Sequence, residues 1–142
     1  MPRQMPPNLS PFETVLFDRA SFTIGSETSD AINVGIQLKV GANDLDQRGA
    51  VLCYLSDNAN GDTIISGAPS GGVAIGSDGL AIPLVTNKAF LLVSEADGDI
   101  DITITDTSAR TIYVVLVMPS GELVVSAAVT FAATTTTTTT GA

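Results

Sequence analysis

Four carboxylates fall within seven residues, at Glu95, Asp97, Asp99 and Asp101, and Asp57, Asn58, Asn60 and Asp62 form a second oxygen-rich group. Carboxylate and amide oxygens at this density are the hard ligands that calcium takes, so Asp97, Asp99 and Asp101 are the candidate calcium ligands. Neither group fits a helix-loop-helix calcium loop. Aligned on Asn58, Asn60 and Gly61, the first ligand position is Ser56 and the twelfth is Gly67, and neither is a carboxylate. The competing reading is turn chemistry. Asp97-Gly98, like Asn60-Gly61 and Asp78-Gly79, adopts positive φ cheaply and leaves its charges in solvent. Calcium aside, no cofactor is expected.

Catalytic constellations are missing their parts. With no histidine and one cysteine, Cys53, neither a Ser-His-Asp nor a Cys-His arrangement can be assembled. Paired carboxylates serve glycosidases, but that chemistry calls for a cleft with aromatic sugar platforms, and the chain has two tyrosines and no tryptophan. Gly71-Gly72 and Gly76 precede no helical pattern and lie near no lysine, so they are turn material rather than a phosphate cradle. The expectation is a protein that is not an enzyme.

Charge narrows the partners. Fifteen acidic against six basic residues give a net charge of -9, and the cations are scattered at Arg3, Arg19, Lys39, Arg48, Lys88 and Arg110. No basic stripe exists for phosphates, so no nucleic-acid partner is expected. No membrane partner is expected either, because no apolar run approaches the roughly 18 to 20 residues of a span. The first ten residues hold three prolines and no apolar signal core, which points to synthesis and retention in a cytoplasm. Cys53 lies in an apolar run and reads as a small buried hydrophobe, with no disulfide framework around it.

The 142 residues fit one domain. Short apolar runs are separated by turn signals every eight to twelve residues, and no helical periodicity intervenes. Ile32, Val34, Ile36 and Leu38 alternate with polar residues, as do Ile100, Ile102 and Ile104, and Val51, Cys53 and Leu55 are placed inward on the run from Ala50 to Ser56. Further strands are expected at Phe22–Ile24, Val73–Ile75, Leu80–Val85 and Ala89–Glu95, with Pro83 marking an edge or a bulge. Eight or nine such strands predict an all-β fold, a two-sheet antiparallel Ig-like β-sandwich, with a jelly roll as the alternative. The Ig-like reading rests on strand count and on Tyr113, placed to form a tyrosine corner.

The longest signal runs from Arg110 to Phe131 and reads as a hairpin turning at Pro119-Ser120-Gly121. Its first arm is apolar on both faces, with Ile112, Val114, Leu116 and Met118 alternating with Tyr113, Val115 and Val117. In the second arm Leu123, Val125, Ala127, Val129 and Phe131 are expected to share one apolar face. A sandwich core needs only one face of each arm, so Tyr113, Val115 and Val117 are expected to lie under an arm or a sister subunit. On that reading Tyr113→Ala and Val115→Asp weaken assembly more than folding.

Residues 1–16 form a proline-rich extended arm, residues 17–133 the sandwich, and residues 134–142 a threonine-rich tail. Segments of this kind become ordered only when tied down, so contacts with neighbours are expected at Pro6, Pro7, Leu9, Phe12, Thr134, Thr137 and Thr140.

A resemblance sharpens the functional expectation. Phe17-Asp18-Arg19-Ala20-Ser21-Phe22-Thr23-Ile24, Asn33-Val34-Gly35-Ile36-Gln37-Leu38, Tyr54-Leu55-Ser56-Asp57, Gly72-Val73-Ala74-Ile75-Gly76, Val93-Ser94-Glu95-Ala96-Asp97-Gly98-Asp99, and Tyr113 with Pro119-Ser120-Gly121-Glu122-Leu123-Val124 together resemble a small family of bacteriophage virion proteins with an Ig-like domain. The likeness spans residues 17–131 and lies in scaffold and turn motifs; both terminal segments fall outside it. It implies a non-enzymatic structural role, foremost a head decoration or cement protein on the outer capsid surface, assembled in the host cytoplasm. The implied partners are the major capsid protein and sister subunits, in a dimer or trimer. The alternative it implies is a tail or fibre module that binds a host-surface glycan or protein, assisted by calcium at Asp97, Asp99 and Asp101.

Overall fold

The computed structural model describes residues 16–134, and these form two antiparallel sheets packed face to face with no helix. The first sheet orders its strands β1 (Arg19–Ile24), β2 (Ala31–Val40), β8 (Asp99–Thr105) and β5 (Gly72–Ile75), and the short β3 (Asn43–Asp44) pairs with β2. The second runs β10 (Leu123–Val125), β9 (Arg110–Val117), β4 (Ala50–Ser56), β7 (Ala89–Val93) and β6 (Leu80–Val85), and β11 (Val129–Phe131) continues on β9.

Alternation sets which side chains meet. On β2, Ile32, Val34 and Ile36 stand opposite Ile104, Ile102 and Ile100 of β8. They press against Val51, Cys53 and Leu55 of β4 and Ile112, Val114 and Leu116 of β9, and all of these are buried. Phe17 and Leu45 close the core at one end, Phe131 and Val129 at the other. Cys53 is part of this core, and burial pushes its thiol pKa up to about 12, so it is an inert packing group.

The layout is a two-sheet antiparallel sandwich, five strands on six, with a route that crosses between the sheets. After β4 it lays β5 at the far edge of the first sheet, crosses to β6 and β7 in the second, and returns as β8. Asp78-Gly79 and Asp97-Gly98 make these crossings. Gly79 and Gly98 have φ of 89° and 80°, so the expected positive-φ turns are present, but they join strands of different sheets rather than hairpin partners. Pro83 sits on an edge strand with a register shift between Pro83 and Val85, as its chemistry demands.

Two expectations for the long hairpin are corrected. Its second arm is not one continuous alternation: Val125 pairs Val115 and Val129 pairs Ile112, so three residues, 126 to 128, oppose two, 113 and 114. This bulge switches the inward parity. Ser126, Val129 and Phe131 are buried, while Leu123 faces outward. Ser126 fixes the switch, since its Oγ accepts from the Val114 N–H at 2.9 Å and donates to the Ala127 carbonyl at 2.8 Å.

Nor does Val115 wait for a partner. It is fully buried within the single chain, because residues 57–67 fold back over it and Gly61 lies against Val115 and Val125. The Tyr54 hydroxyl donates to the Gly61 carbonyl and anchors the loop. Tyr54 thus ties its hydroxyl to backbone, whereas the expected corner residue Tyr113 makes no such bond among the described residues.

The loop leaves no room at its tip. A Cβ on Gly61 would lie 2.9 Å from both valine methyl groups, and its φ of 68° is strained for any L residue. Gly61→Ala is therefore expected to lower stability by about 1–3 kcal/mol in denaturant melts. Val115→Asp is now expected to cost roughly 3–5 kcal/mol of folding, as an unpaired buried charge does, rather than to weaken assembly selectively.

Candidate functional site

The acidic residues singled out by spacing are occupied with holding the scaffold. Asp99 and Asp101 project from the outer face of β8, and Asp97 is exposed on the preceding turn. Asp101 accepts from the Asp78 N–H at 2.7 Å and from Asn33 Nδ2 at 3.0 Å, so it pins the β5–β6 crossing to the first sheet. Asp97 accepts from the Asp99 N–H at 3.2 Å. In the second group both Asp62 oxygens accept, from Asn58 and Asn60 amides at 2.9 and 3.2 Å. Amide N–H donors aimed at a carboxylate make a poor cation seat, and among the described residues no three acidic side chains converge on one point.

Electrostatics divides these carboxylates. Burial, followed by repulsion from Asp97, Asp78, Asp44 and Asp101, holds the Asp99 carboxyl above the usual aspartate range. Asp57 lies below it, chiefly through the Ser66 N–H, then the Ser66 hydroxyl and Arg110, against some desolvation. Burial would raise the pKa of Asp106, but the Ser108 hydroxyl and N–H and the Arg110 guanidinium bring it below the ordinary value. Arg110 bridges Asp106 at 3.2 Å and Asp57 at 3.3 Å and donates to the Gly67 carbonyl at 3.0 Å, thereby tying down the covering loop.

The two outer faces of the sandwich differ sharply. On the first sheet the outward positions read Arg19, Ser21 and Thr23, then Asn33, Gly35, Gln37 and Lys39, then Asp99, Asp101, Thr103 and Thr105. That face is polar and wet. On the second sheet one register line crosses five strands as Leu123, Val117, Leu52, Leu91 and Ile82, each paired with the next. Ala50, Val93 and Leu80 form the neighbouring line. No outward position of these five strands carries a charge.

Much of this surface meets solvent. Leu52, Leu80, Ile82, Leu84 and Leu123 are exposed, with Leu80 and Leu84 at 56% and 57%, and Val117 and Tyr113 are half-buried. A monomeric protein seldom leaves a contiguous apolar patch of this kind without a use for it. Of the residues expected at an interface, Tyr113 and Val117 lie on this face, and Val115 lies beneath its loop-covered part. Thr134 is elsewhere: its N–H and Oγ bond to the Thr107 carbonyl and its Oγ donates to Asp30 at 2.9 Å. Pro6, Pro7, Leu9, Phe12, Thr137 and Thr140 lie outside the described residues.

Compared with known proteins, the chain matches no family model and no curated protein. Its function must be read from its own surfaces. Spacing arguments missed Leu52, Leu91, Leu80, Ile82 and Leu123, although a signal was present. The runs Leu80–Val85 and Ala89–Val93 are apolar at both parities, as is the first arm of the long hairpin.

Two outcomes follow from the carboxylates. Asp101→Ala should lower stability by about 1–3 kcal/mol by orphaning the Asp78 N–H, equally with added calcium and with chelator, in paired thermal melts. Asp99→Asn should raise the melting temperature at neutral pH. The raised Asp99 pKa means that its ionisation works against the fold above that pKa and stops doing so on acidification, so the advantage should vanish below the ordinary aspartate range. Wild type should lose stability below the ordinary aspartate range, as Asp57 and Asp106, whose folded values are depressed, take up protons.

Proposed function

We propose that the chain is a non-enzymatic structural subunit of a bacteriophage virion, a capsid decoration protein that assembles through the uncharged outer face of its second sheet. The observation that carries this reading is the line Leu123, Val117, Leu52, Leu91 and Ile82, an apolar strip across all five strands with the charges kept off it. Such a strip suits burial against protein, since fully covering a Leu or Ile side chain contributes roughly 1.5–3 kcal/mol. It offers no hydrogen-bond donors for a glycan along that line, which favours attachment over recognition of a sugar.

The positions of Leu16 and Thr134 support the same reading. Leu16 precedes Arg19, which pairs with Lys39 at one end of the sandwich, whereas Thr134 is held beside Asp30 and Thr107, where β2 starts and β8 has finished. Leu16 and Thr134 thus lie towards opposite ends of the sandwich. A subunit repeated over a lattice gains further from avidity, so each contact can be modest.

The test is quantitative mass spectrometry of purified particles combined with imaging. Decoration requires copy numbers on the scale of the capsid lattice and density on the head. A few copies, or density on the tail, would instead favour a fibre module. Leu52→Asp with Ile82→Asp should leave a folded sandwich but reduce reattachment to stripped particles at least tenfold; undiminished reattachment would remove this face from the mechanism.

A further inference from the structure

We infer that the free edge of β1 accepts the threonine run 135–140 of a neighbouring copy as an added strand. This contact is separate from the uncharged face of the second sheet and does not rest on it. An edge strand presents unpaired N–H and C=O groups to any extended chain, and proteins blunt such edges with proline, bulges or short length. On β6, Pro83 and the adjoining register shift do this. β5 is four residues long, and Asn87 Oδ1 already accepts from the Val73 N–H at 3.0 Å. β10 and β11 are three residues each, parted by the bulge at 126–128. β1 has none of these devices: its six residues pair with β2 in unbroken register, and its inward set Ala20, Phe22 and Ile24 carries no charge.

Register fixes which backbone groups are open. The Gly25 N–H donates to the Asn33 carbonyl at 2.8 Å, and bonding to β2 alternates from there through Thr23, Ser21 and Arg19. The N–H and C=O of Ala20, Phe22 and Ile24 therefore turn to the free edge, where no described strand pairs with them. Their side chains are only partly buried, so an added strand would also extend the cover of the core.

Chemistry selects the occupant. A strand that runs the length of β1 needs N–H donors over about 20 Å, six residues at about 3.3 Å each. Pro2, Pro6, Pro7 and Pro11 leave no proline-free run of six among residues 1–15, whereas 135–140 is six threonines, β-branched and uncharged. Between β1 and β10 lies an open cleft of about 510 Å³ lined by Asp18, Arg19, Ala20, Ser120, Glu122 and Val124. Threonine suits this mixture, with a methyl group for Ala20 and Val124 and a hydroxyl for the carboxylates. An acidic strand would be repelled by Asp18 and Glu122.

Chain direction selects the donor copy. The Ala132 N–H donates to Glu27 Oε2, and two residues later Thr134 bonds to Thr107 and Asp30. The chain is thus travelling from the β1 side towards the end of β8, away from its own β1 edge, and the turn at Ser29 and Asp30 stands between. A neighbour's edge is reached without doubling back.

Two full-length variants separate donor from acceptor. Ala20→Pro removes an edge N–H and leaves the β2 ladder intact, so it donates but does not accept. Thr137→Pro with Thr138→Pro removes a donor-strand N–H in either register, so it accepts but does not donate. In sedimentation from micromolar to millimolar concentration, wild type should associate reversibly and neither variant alone should, while their mixture regains a species of twice the monomer mass. Amide exchange at Ala20, Phe22 and Ile24 should slow at least tenfold as wild type associates. Should Ala20→Pro not fold, a peptide of residues 133–142 added to the Thr137→Pro, Thr138→Pro variant should slow the same three amides. Protection already present in the monomer would assign the edge to the chain's own tail, and no protection at any concentration would leave it to another partner. Either result overturns the inference, as does a mixture of folded variants that stays monomeric.

Discussion

A strand that is apolar on both faces must be covered twice, and β9 imposes this demand on the whole molecule. Its inward set, Ile112, Val114 and Leu116, is met by the first sheet. Its outward set is met piecemeal. Val115 lies under the loop of residues 57–67, while Val117 is half-buried and opens onto the exposed strip. The covering loop, the glycine at its tip and the apolar face beside it are three consequences of that one requirement.

Holding the loop in place takes charge, and Arg110 supplies it. Its guanidinium is shared among Asp57, Asp106 and the carbonyls of Gly67 and Ala68. Asp106 is almost wholly buried and also accepts from Ser108, so the one carboxylate taken deep out of water among the described residues finds partners there. Among the described residues the other acids lie on the first sheet, in turns, at the ends of the sandwich and, as Asp57 and Asp62, on the loop that covers Val115. Segregation of this kind gives one molecule a wet side and a dry side without any amphipathic helix.

The strands with one wet face were legible from alternation alone: Ile32 to Leu38 and Ile100 to Ile104 fall where period two places them, and on Ala50–Ser56 the inward set Val51, Cys53 and Leu55 lies where it was placed. Pro83 announced an edge for the plain reason that it cannot donate to a ladder. What alternation could not show was anything that changes parity or partner. The bulge at 126–128 depends on Ser126 finding the Val114 N–H, a contact invisible to a pattern that counts residues. Asp78-Gly79 and Asp97-Gly98 declare positive φ but not which sheet comes next. The loop over Val115 likewise hinges on a tertiary fit at Gly61. The apolar face was half legible: β9 was recognised as apolar on both sides, whereas the equally uninterrupted runs of β6 and β7 were read only as strands. Their outward residues, Leu80, Ile82 and Leu91, complete the strip.

The route of the chain bears on how the sandwich is made. The central pair of the first sheet joins β2 to β8, and Asn33 meets Thr103 from 70 positions away. Until β8 exists, the isoleucines of β2 have only the neighbouring β1 to pair with, while β4, β5, β6 and β7 must be laid down first. Long-range pairings of this kind pay their loop-closure entropy before any contact repays it, which makes for slow folding and prolonged exposure of unpaired edges. On a ribosome, the Asp97-Gly98 crossing is therefore the point at which an open collection of hairpins first has the means to close into one body.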